Sequence, residues 1–146
     1  MKLIASAVLI AVLFVAGCKS GPSLDGKWNM TGGSMGQMPP GSTATMEFSG
    51  GKMTMVMVGK DDQTGELGIT ANGTYELKET TLTMKVTDVK LDTSKVKAEV
   101  KPMIEQFLKP ETFKEQLNKD TEFKVTFVSD KEVTLASKGG TTTLKK

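Results

Sequence analysis

The chain has 146 residues, a formal net charge of +2 and no histidine, and all of its basic side chains are lysines. The absence of histidine excludes Ser-His-Asp and Cys-His catalytic sites, and it removes the side chain most often used for acid–base chemistry near neutral pH. The lysines are dispersed, and only 5% of the residues are aromatic, which argues against nucleic-acid binding. We therefore expect a protein that is not an enzyme and has no nucleic-acid partner.

The first segment has the pattern of a secretory leader. Lys2 precedes an apolar run over residues 3–15, which is shorter than the roughly 20 residues that a helix needs to cross a bilayer. The run ends in Val-Ala-Gly-Cys at residues 15–18. This ending resembles the lipobox of bacterial lipoproteins, in which the cysteine is acylated and becomes the mature N-terminus.

The resemblance divides the chain into a signal peptide (1–17), an acylated tether (18–23) and a folded domain (24–146). It implies an envelope protein held in a membrane by a covalent lipid, such as palmitate, on Cys18, with no other cofactor. In that family an Asp after the cysteine tends to retain the protein in the inner membrane; the residue here is Lys19, which implies the periplasmic face of the outer membrane in a Gram-negative cell. The alternative is an ordinary secretory leader that leaves Cys18, the only cysteine, as a free thiol.

The domain opens with a predicted strand over 24–31 that contains the only tryptophan, Trp28. The Gly-x-Trp at residues 26–28 resembles the opening motif of lipocalins and of lipocalin-like bacterial lipoproteins, in which the Trp closes one end of a β-barrel. The Gly-Thr-Tyr at 73–75 resembles a hairpin of the same proteins. A second lipocalin motif, Thr-Asp-Tyr, is matched at 87–89 without its aromatic residue, and the arginine that packs on the Trp in that family has no counterpart. The resemblance implies a lipocalin-like or calycin-like domain.

Alternation of apolar and polar residues predicts antiparallel strands through most of the domain. Residues 44–57 read as a hairpin that turns at Gly50-Gly51. Residues 67–78 read as one strand with a bulge at Asn72-Gly73, and the alternative is two short strands joined by a two-residue turn there. Thr81 begins another strand, and residues 123–144 alternate as three more. Pro and Gly mark residues 32–42 as a loop. The count is about eight strands, which predicts an antiparallel barrel or a strongly curled sheet.

Residues 94–119 interrupt this pattern with a helical stripe before the last three strands. Ser94 is a plausible N-cap, and Pro102 and Pro110 predict two or three short helices rather than one. The stripe predicts packing against the sheet or across one end of a barrel; a membrane-surface helix or a lid is the alternative.

An eight-stranded barrel can enclose one small ligand or be filled by its own side chains. The first hypothesis is a cup for a small apolar molecule, and the alternative is that the same side chains fill the core. The candidate lining is apolar and aromatic and consists of Trp28, Met46, Phe48, Met53, Met55, Met57, Tyr75, Leu77, Met84, Phe123 and Phe127.

The second hypothesis starts from the nine methionines other than Met1, among them Met30 and the ladder of alternating methionines at 53, 55 and 57. Thioethers are soft ligands that select Cu(I), and Met35 and Met38 in the predicted loop are the candidate ligands of an envelope protein that binds or senses copper. The alternative is that methionine is an adaptable core filler. A third hypothesis is an envelope protein without a small ligand that recognises a protein partner through its loops.

Overall fold

The computed structural model describes residues 22–32, 40–111 and 118–146. Within these ranges the chain forms one short helix, α1 (Lys101–Phe107), and eight strands. No helix of the described part is long and apolar enough to span a bilayer. The strands are β1 (Gly26–Thr31), β2 (Thr43–Ser49), β3 (Lys52–Asp61), β4 (Gly65–Lys78), β5 (Thr81–Val96), β6 (Thr121–Ser129), β7 (Glu132–Ser137) and β8 (Gly140–Lys145).

The strands form a closed antiparallel barrel in sequence order, in which β8 pairs with β1. This confirms the predicted barrel and the helical insertion before its last three strands. The start of β1 and the β2–β3, β4–β5 and β6–β7 turns share one end of the barrel, which we call the closed end because Leu24 and Trp28 are buried there. The β3–β4 and β7–β8 turns share the opposite end with the end of β5; we call this the open end.

The first hairpin follows the predicted pattern in detail. Gly50 and Gly51 both have positive φ, 55° and 78°, which is the backbone conformation that a tight two-residue turn requires and that glycine adopts without a steric penalty. Alternate residues of β2 and β3 then point inward, and each pairs with an inward residue of the neighbouring strand. The alternation in the sequence therefore identifies the inner face of this part of the barrel.

The cross-strand pairs place the inward side chains in rows around the barrel wall. The closed-end row contains Phe48, Met53, Gly73 and Val86. The middle row contains Trp28, Met46, Met55, Ala71 and Val89. The open-end row contains Ala44, Met57, Ile69 and Leu91. These three rows define the position of each candidate residue along the barrel axis.

The irregularity predicted at Asn72-Gly73 is present, and β4 continues through it as one strand. Asn72 pairs with Asp88 and Gly73 pairs with Val86, so the extra residue is Thr87 of β5. A Cβ on Gly73 would collide with the carbonyl oxygen of Lys85, which explains why glycine occupies this position. The bulge also changes which β5 residues point inward, from the even-numbered Leu82, Met84 and Val86 before Thr87 to the odd-numbered Val89 and Leu91 after it.

The predicted start of the helical insertion, at residue 94, is wrong. Strand β5 continues to Val96, which pairs with Gly65 of β4, so Ser94 lies in a strand and is not an N-cap. Helix α1 follows Val100 and has no side-chain cap, while Pro102 lies in its first turn as predicted. The first strand also begins at Gly26 rather than at residue 24.

Helix α1 does not pack as the stripe predicts. None of its residues is buried, and Phe107 is 75% exposed. A hydrogen bond from Thr93 Oγ1 to Glu105 Oε1 (2.9 Å) connects it to β5. The helical pattern of the sequence is therefore real over a short segment, but its apolar side chains do not join the core in the described part of the chain.

Candidate functional site

Six of the candidate lining residues fill the closed half of the barrel. They are between 0% and 8% exposed and belong to one hydrophobic cluster: Trp28, Met46, Phe48, Met53, Met55 and Met84. Leu24 covers them at the closed end, where its carbonyl oxygen accepts a hydrogen bond from Trp28 Nε1. Burial of large apolar side chains is the main favourable contribution to folding. These six residues therefore act first as core.

Tyr75 connects this core to the segment that precedes β1. Its ring meets Phe48 edge to face, with ring centres 4.9 Å apart, and its hydroxyl donates a 2.7 Å hydrogen bond to the Asp25 carboxylate. That hydrogen bond is the main cause that lowers the pKa of Asp25, and Ser23 Oγ adds a second donor. The pKa of Tyr75 is raised, mainly by burial and then by Asp25. Tyr75 is thus a structural residue with a polar group at the closed end.

A lysine packs on the tryptophan of this chain, which has no arginine. Lys146 Nζ lies 4.4 Å from the centre of the Trp28 ring and donates a 3.2 Å hydrogen bond to the carbonyl oxygen of Asp25. An ammonium over an indole face is attracted by the ring quadrupole. The lysine comes from the opposite end of the sequence, so the contact depends on the pairing of β8 with β1.

The inward side chains of the open half are less completely buried than those of the closed half. In the open-end row, Met57, Ile69 and Leu91 point inward but remain half-buried, and Ala44 contributes little volume. Met30 of β1 is also half-buried and pairs with Leu144 of β8. An apolar, inward-facing and partly accessible wall is what a cup for an apolar molecule requires. This wall, formed by Met30, Ala44, Met57, Ile69 and Leu91, is the candidate site.

Of these five residues, only Met57 is among the candidate lining residues proposed from the sequence. Ile69 lies in the predicted strand over 67–78, where strict alternation already places it on the same face as Ala71 and Tyr75. Simple alternation does not predict that Leu91 lies on the inner face, because the bulge at Thr87 shifts the alternation of β5. The spacing of three between Val86 and Val89 is the sequence signal of that shift.

The two phenylalanines of β6 do not share a cavity with the candidate site. Phe127 lines a cleft of about 300 Å³ at the closed end together with Pro22, Trp28 and Lys146. Phe123 lines a wide open groove of about 840 Å³ beside Thr81. Both side chains are half-buried and pack against the core.

The rim of the open end is polar and well ordered by hydrogen bonds. Asp61 Oδ1 accepts hydrogen bonds from the backbone N–H groups of Gln63 and Thr64 (2.8 and 3.0 Å), which lower the pKa of Asp61 and shape the β3–β4 turn. Glu66 contacts Lys95 (2.8 Å) and Lys60 (3.4 Å), and the hydrogen bond from Lys95 is the main cause of its lowered pKa. Asp61 thus holds the turn, and Glu66 pairs with two lysines.

Two groups of sequence predictions lie outside the described residues: Cys18, and the methionines 35 and 38. The copper hypothesis therefore stays a prediction. Within the described ranges, no group of three or more His, Cys, Asp or Glu side chains could hold a metal ion. Met53 and Met55, which neighbour Met57 in the ladder of β3, are 3% and 6% exposed and are used as core.

No protein-family model matches the chain, and no curated protein matches it in sequence. The solved structures that are similar in shape include two from Bacteroides species. A lipocalin-like protein from Bacteroides uniformis has a TM-score of 0.49 and 17% identity, over 84% of this chain and 97% of that one. An uncharacterized protein from Bacteroides eggerthii has a TM-score of 0.45 and 17% identity, over 85% of this chain and 99% of that one.

Proposed function

We propose that the protein is a lipid-anchored protein of the bacterial cell envelope whose open barrel half binds a small apolar molecule. The observation that carries the binding proposal is the contrast between the two barrel halves. The closed-end side chains exclude solvent, whereas the open-end row leaves inward apolar surface partly accessible. The proposed activity is binding, with no chemical reaction.

The candidate site favours a flexible and uncharged ligand group. Methionine at positions 30 and 57 has an unbranched side chain that adapts to irregular shapes, and the open-end row contains no polar side chain. A ligand that covers this surface gains about 25 cal/mol for each Å² of apolar area removed from water. The charged rim above it, with Glu66 and Lys95, offers contacts only to a polar end of the ligand.

Binding is tested by titration of the purified domain with a neutral apolar fluorophore such as N-phenyl-1-naphthylamine. Ile69→Trp places a large side chain in the site, while Thr70→Trp adds the same side chain to the outer face of the same strand. We expect Ile69→Trp to abolish the fluorescence increase and Thr70→Trp to leave it unchanged. Equal titration curves for the two variants and the wild type would contradict a site in the open half.

The anchor proposal rests on the sequence at residues 15–18, on Lys19 and on the isolated cysteine. More than one acyl chain is needed for stable anchoring, and the lipobox resemblance implies that Cys18 carries several. The test is metabolic labelling of the full chain with radioactive palmitate, followed by membrane fractionation. We expect label in the wild-type protein and none in Cys18→Ser. Unlabelled wild-type protein with a titratable thiol would contradict the anchor.

A second candidate function is recognition of an envelope protein through α1. Met103 and Phe107 are 51% and 75% exposed and lie four residues apart on one helix face. Large exposed apolar side chains that cluster are typical of contact surfaces. Site-specific photo-crosslinking in the host tests this: a crosslinker in place of Phe107 should give a defined adduct, and one in place of Gln106 should not.

A further inference from the structure

We infer that the closed end of the barrel lies against the surface of the membrane and that the open end points away from it. This inference rests on the proposed lipid anchor at Cys18. It concerns the direction in which the candidate site faces, and therefore the compartment from which a ligand reaches it.

The position of the chain before β1 carries the argument. Pro22 and Ser23 line the cleft at the closed end beside Trp28, Phe127 and Lys146. The backbone there is fixed, because the Leu24 carbonyl is bound by Trp28, and Asp25 is held by Tyr75 and Lys146. The attachment point of the tether is thus part of the closed end.

The length of the tether decides how far the anchor can reach. Three residues lie between Cys18 and Pro22, and the four Cα-to-Cα steps that join them span at most about 14 Å when fully extended. The ten residues of β3 rise roughly 3.3 Å each and tilt by about 40° in a barrel of this type, so the two ends lie on the order of 25 Å apart. An anchor at Cys18 therefore cannot let the barrel stand with its open end directed at the lipid headgroups while the tether leaves from the closed end.

The closed end also carries features that suit a lipid surface. Val128 is 60% exposed next to the β6–β7 turn, where a register shift separates Phe127 from Ser129. Lys131 and Lys146 lie side by side, since the Lys146 N–H donates to the Lys131 carbonyl oxygen (3.0 Å). Asp130 and Glu132 balance much of this charge, so the contact depends chiefly on the short tether and not on electrostatic attraction.

The functional consequence is that the candidate site opens toward the aqueous compartment. Helix α1 lies near the end of β5, so its exposed Met103 and Phe107 also face away from the anchoring membrane. A ligand then reaches the site from solution, or from a partner protein that is soluble or faces the open end. It does not pass directly from the bilayer that holds the protein.

The test is fluorescence quenching on the full acylated chain in vesicles of phosphatidylethanolamine and phosphatidylglycerol that contain a lipid with a nitroxide-bearing headgroup. Val128→Cys and Phe107→Cys replace exposed side chains at the two ends, and each accepts one maleimide fluorophore because the only native cysteine is consumed by the lipid. The emission of Trp28 before labelling, measured in vesicles without the nitroxide lipid, should match that of the wild type and serves as the control for folding. We expect the label at position 128 to lose most of its fluorescence and the label at position 107 to keep it.

Aqueous iodide gives the reciprocal measurement: it should quench the label at position 107 and leave the label at position 128 protected. Vesicle flotation, performed first, separates the two proposals. Protein that floats but shows equal or reversed headgroup quenching overturns the orientation and leaves the anchor intact. Protein that does not float overturns the anchor and the orientation together.

Discussion

The closed and open halves of the barrel are made from the same strands but differ in what their inward side chains do. At the closed end, Trp28 and Phe48 are 1% and 0% exposed, and Leu24 covers them. At the open end, Met57 and Ile69 point inward from β3 and β4 and remain half-buried. The difference shows that alternation alone identifies an inner face but does not distinguish fully buried side chains from partly accessible ones.

The two halves of the barrel are also expected to contribute differently to the stability of the fold and to the proposed ligand binding. Side chains that are fully enclosed contribute most to the free energy of unfolding, because their removal leaves a cavity. Side chains on a partly accessible wall contribute less, because they give up less contact with water on folding. Substitutions in the two halves are therefore expected to separate the two properties.

The largest expected effect is that of Trp28→Ala. Removal of a buried indole together with the cation contact of Lys146 is expected to lower the free energy of unfolding by about 3–5 kcal/mol. Met57→Ala, in the open-end row, should lower it by about 1–2 kcal/mol, because that side chain is only half-buried. Chemical denaturation of both variants measures the difference; equal losses would contradict the division of the barrel into two halves.

The next largest effect is expected at the bulge where Gly73 of β4 faces β5 and where the inward-pointing positions of β5 change from Val86 to Val89. Gly73→Ala places a methyl group against the Lys85 carbonyl and should cost about 1–3 kcal/mol, since backbone must move to relieve the overlap. Gly139→Ala is the matched control, because a Cβ there would approach only Ser137 Oγ at an ordinary 3.8 Å. Similar unfolding midpoints for the two variants would show that the bulge adjusts freely.

Most of the fold follows from local sequence patterns, and the departures have physical reasons. Alternation places Met46, Phe48, Met53 and Met55 on the inner face, and the structure agrees. Ser94 has the residue type of an N-cap, yet the pairing of β5 with β4 extends the strand to Val96. Tertiary pairing thus overrides a local helix signal, as it often does for weak propensities.

The candidate site was less predictable than the fold. Lys146 reaches Trp28 only because β8 closes on β1, and that pairing joins residues 112 positions apart, as the Thr31–Thr143 hydrogen bond shows. No local pattern encodes such a contact. The residues that form the half-buried wall likewise depend on how β3, β4 and β5 align. The cross-strand register fixes this alignment, and the alternation of apolar and polar residues does not.

A smaller effect is expected from the hydrogen bond between Tyr75 and Asp25 at the closed end. The lowered pKa of Asp25 means that its carboxylate stabilises the folded state above the ordinary pKa of 3.8, and this contribution is lost as the pH falls through the lowered value. The raised pKa of Tyr75 contributes stability below pH 10, which is lost as the pH rises through that raised value.

Tyr75→Phe should therefore weaken both the acid and the alkaline dependence of stability that this pair produces. The variant also removes the only tyrosine, so no phenol remains to titrate; the pKa of Lys95 is raised as well, so part of the alkaline loss should persist. Thermal unfolding across the pH range gives the two profiles. Asp61, Glu66 and Asp92 also have lowered pKa values, so part of the acid loss should persist; identical profiles for variant and wild type would contradict the coupling.

The smallest effect on stability is expected at Phe107, and it sharpens the contrast between the ends. Because the ring is 75% exposed and no residue of α1 is buried, Phe107→Ser should change the free energy of unfolding by no more than about 0.5 kcal/mol. A large phenylalanine that contributes so little to folding at the rim of a half-open barrel is available for contact with something else. Denaturation of the isolated domain measures the effect, and a loss near that of Met57→Ala would mean that α1 packs on the barrel in solution and covers the site.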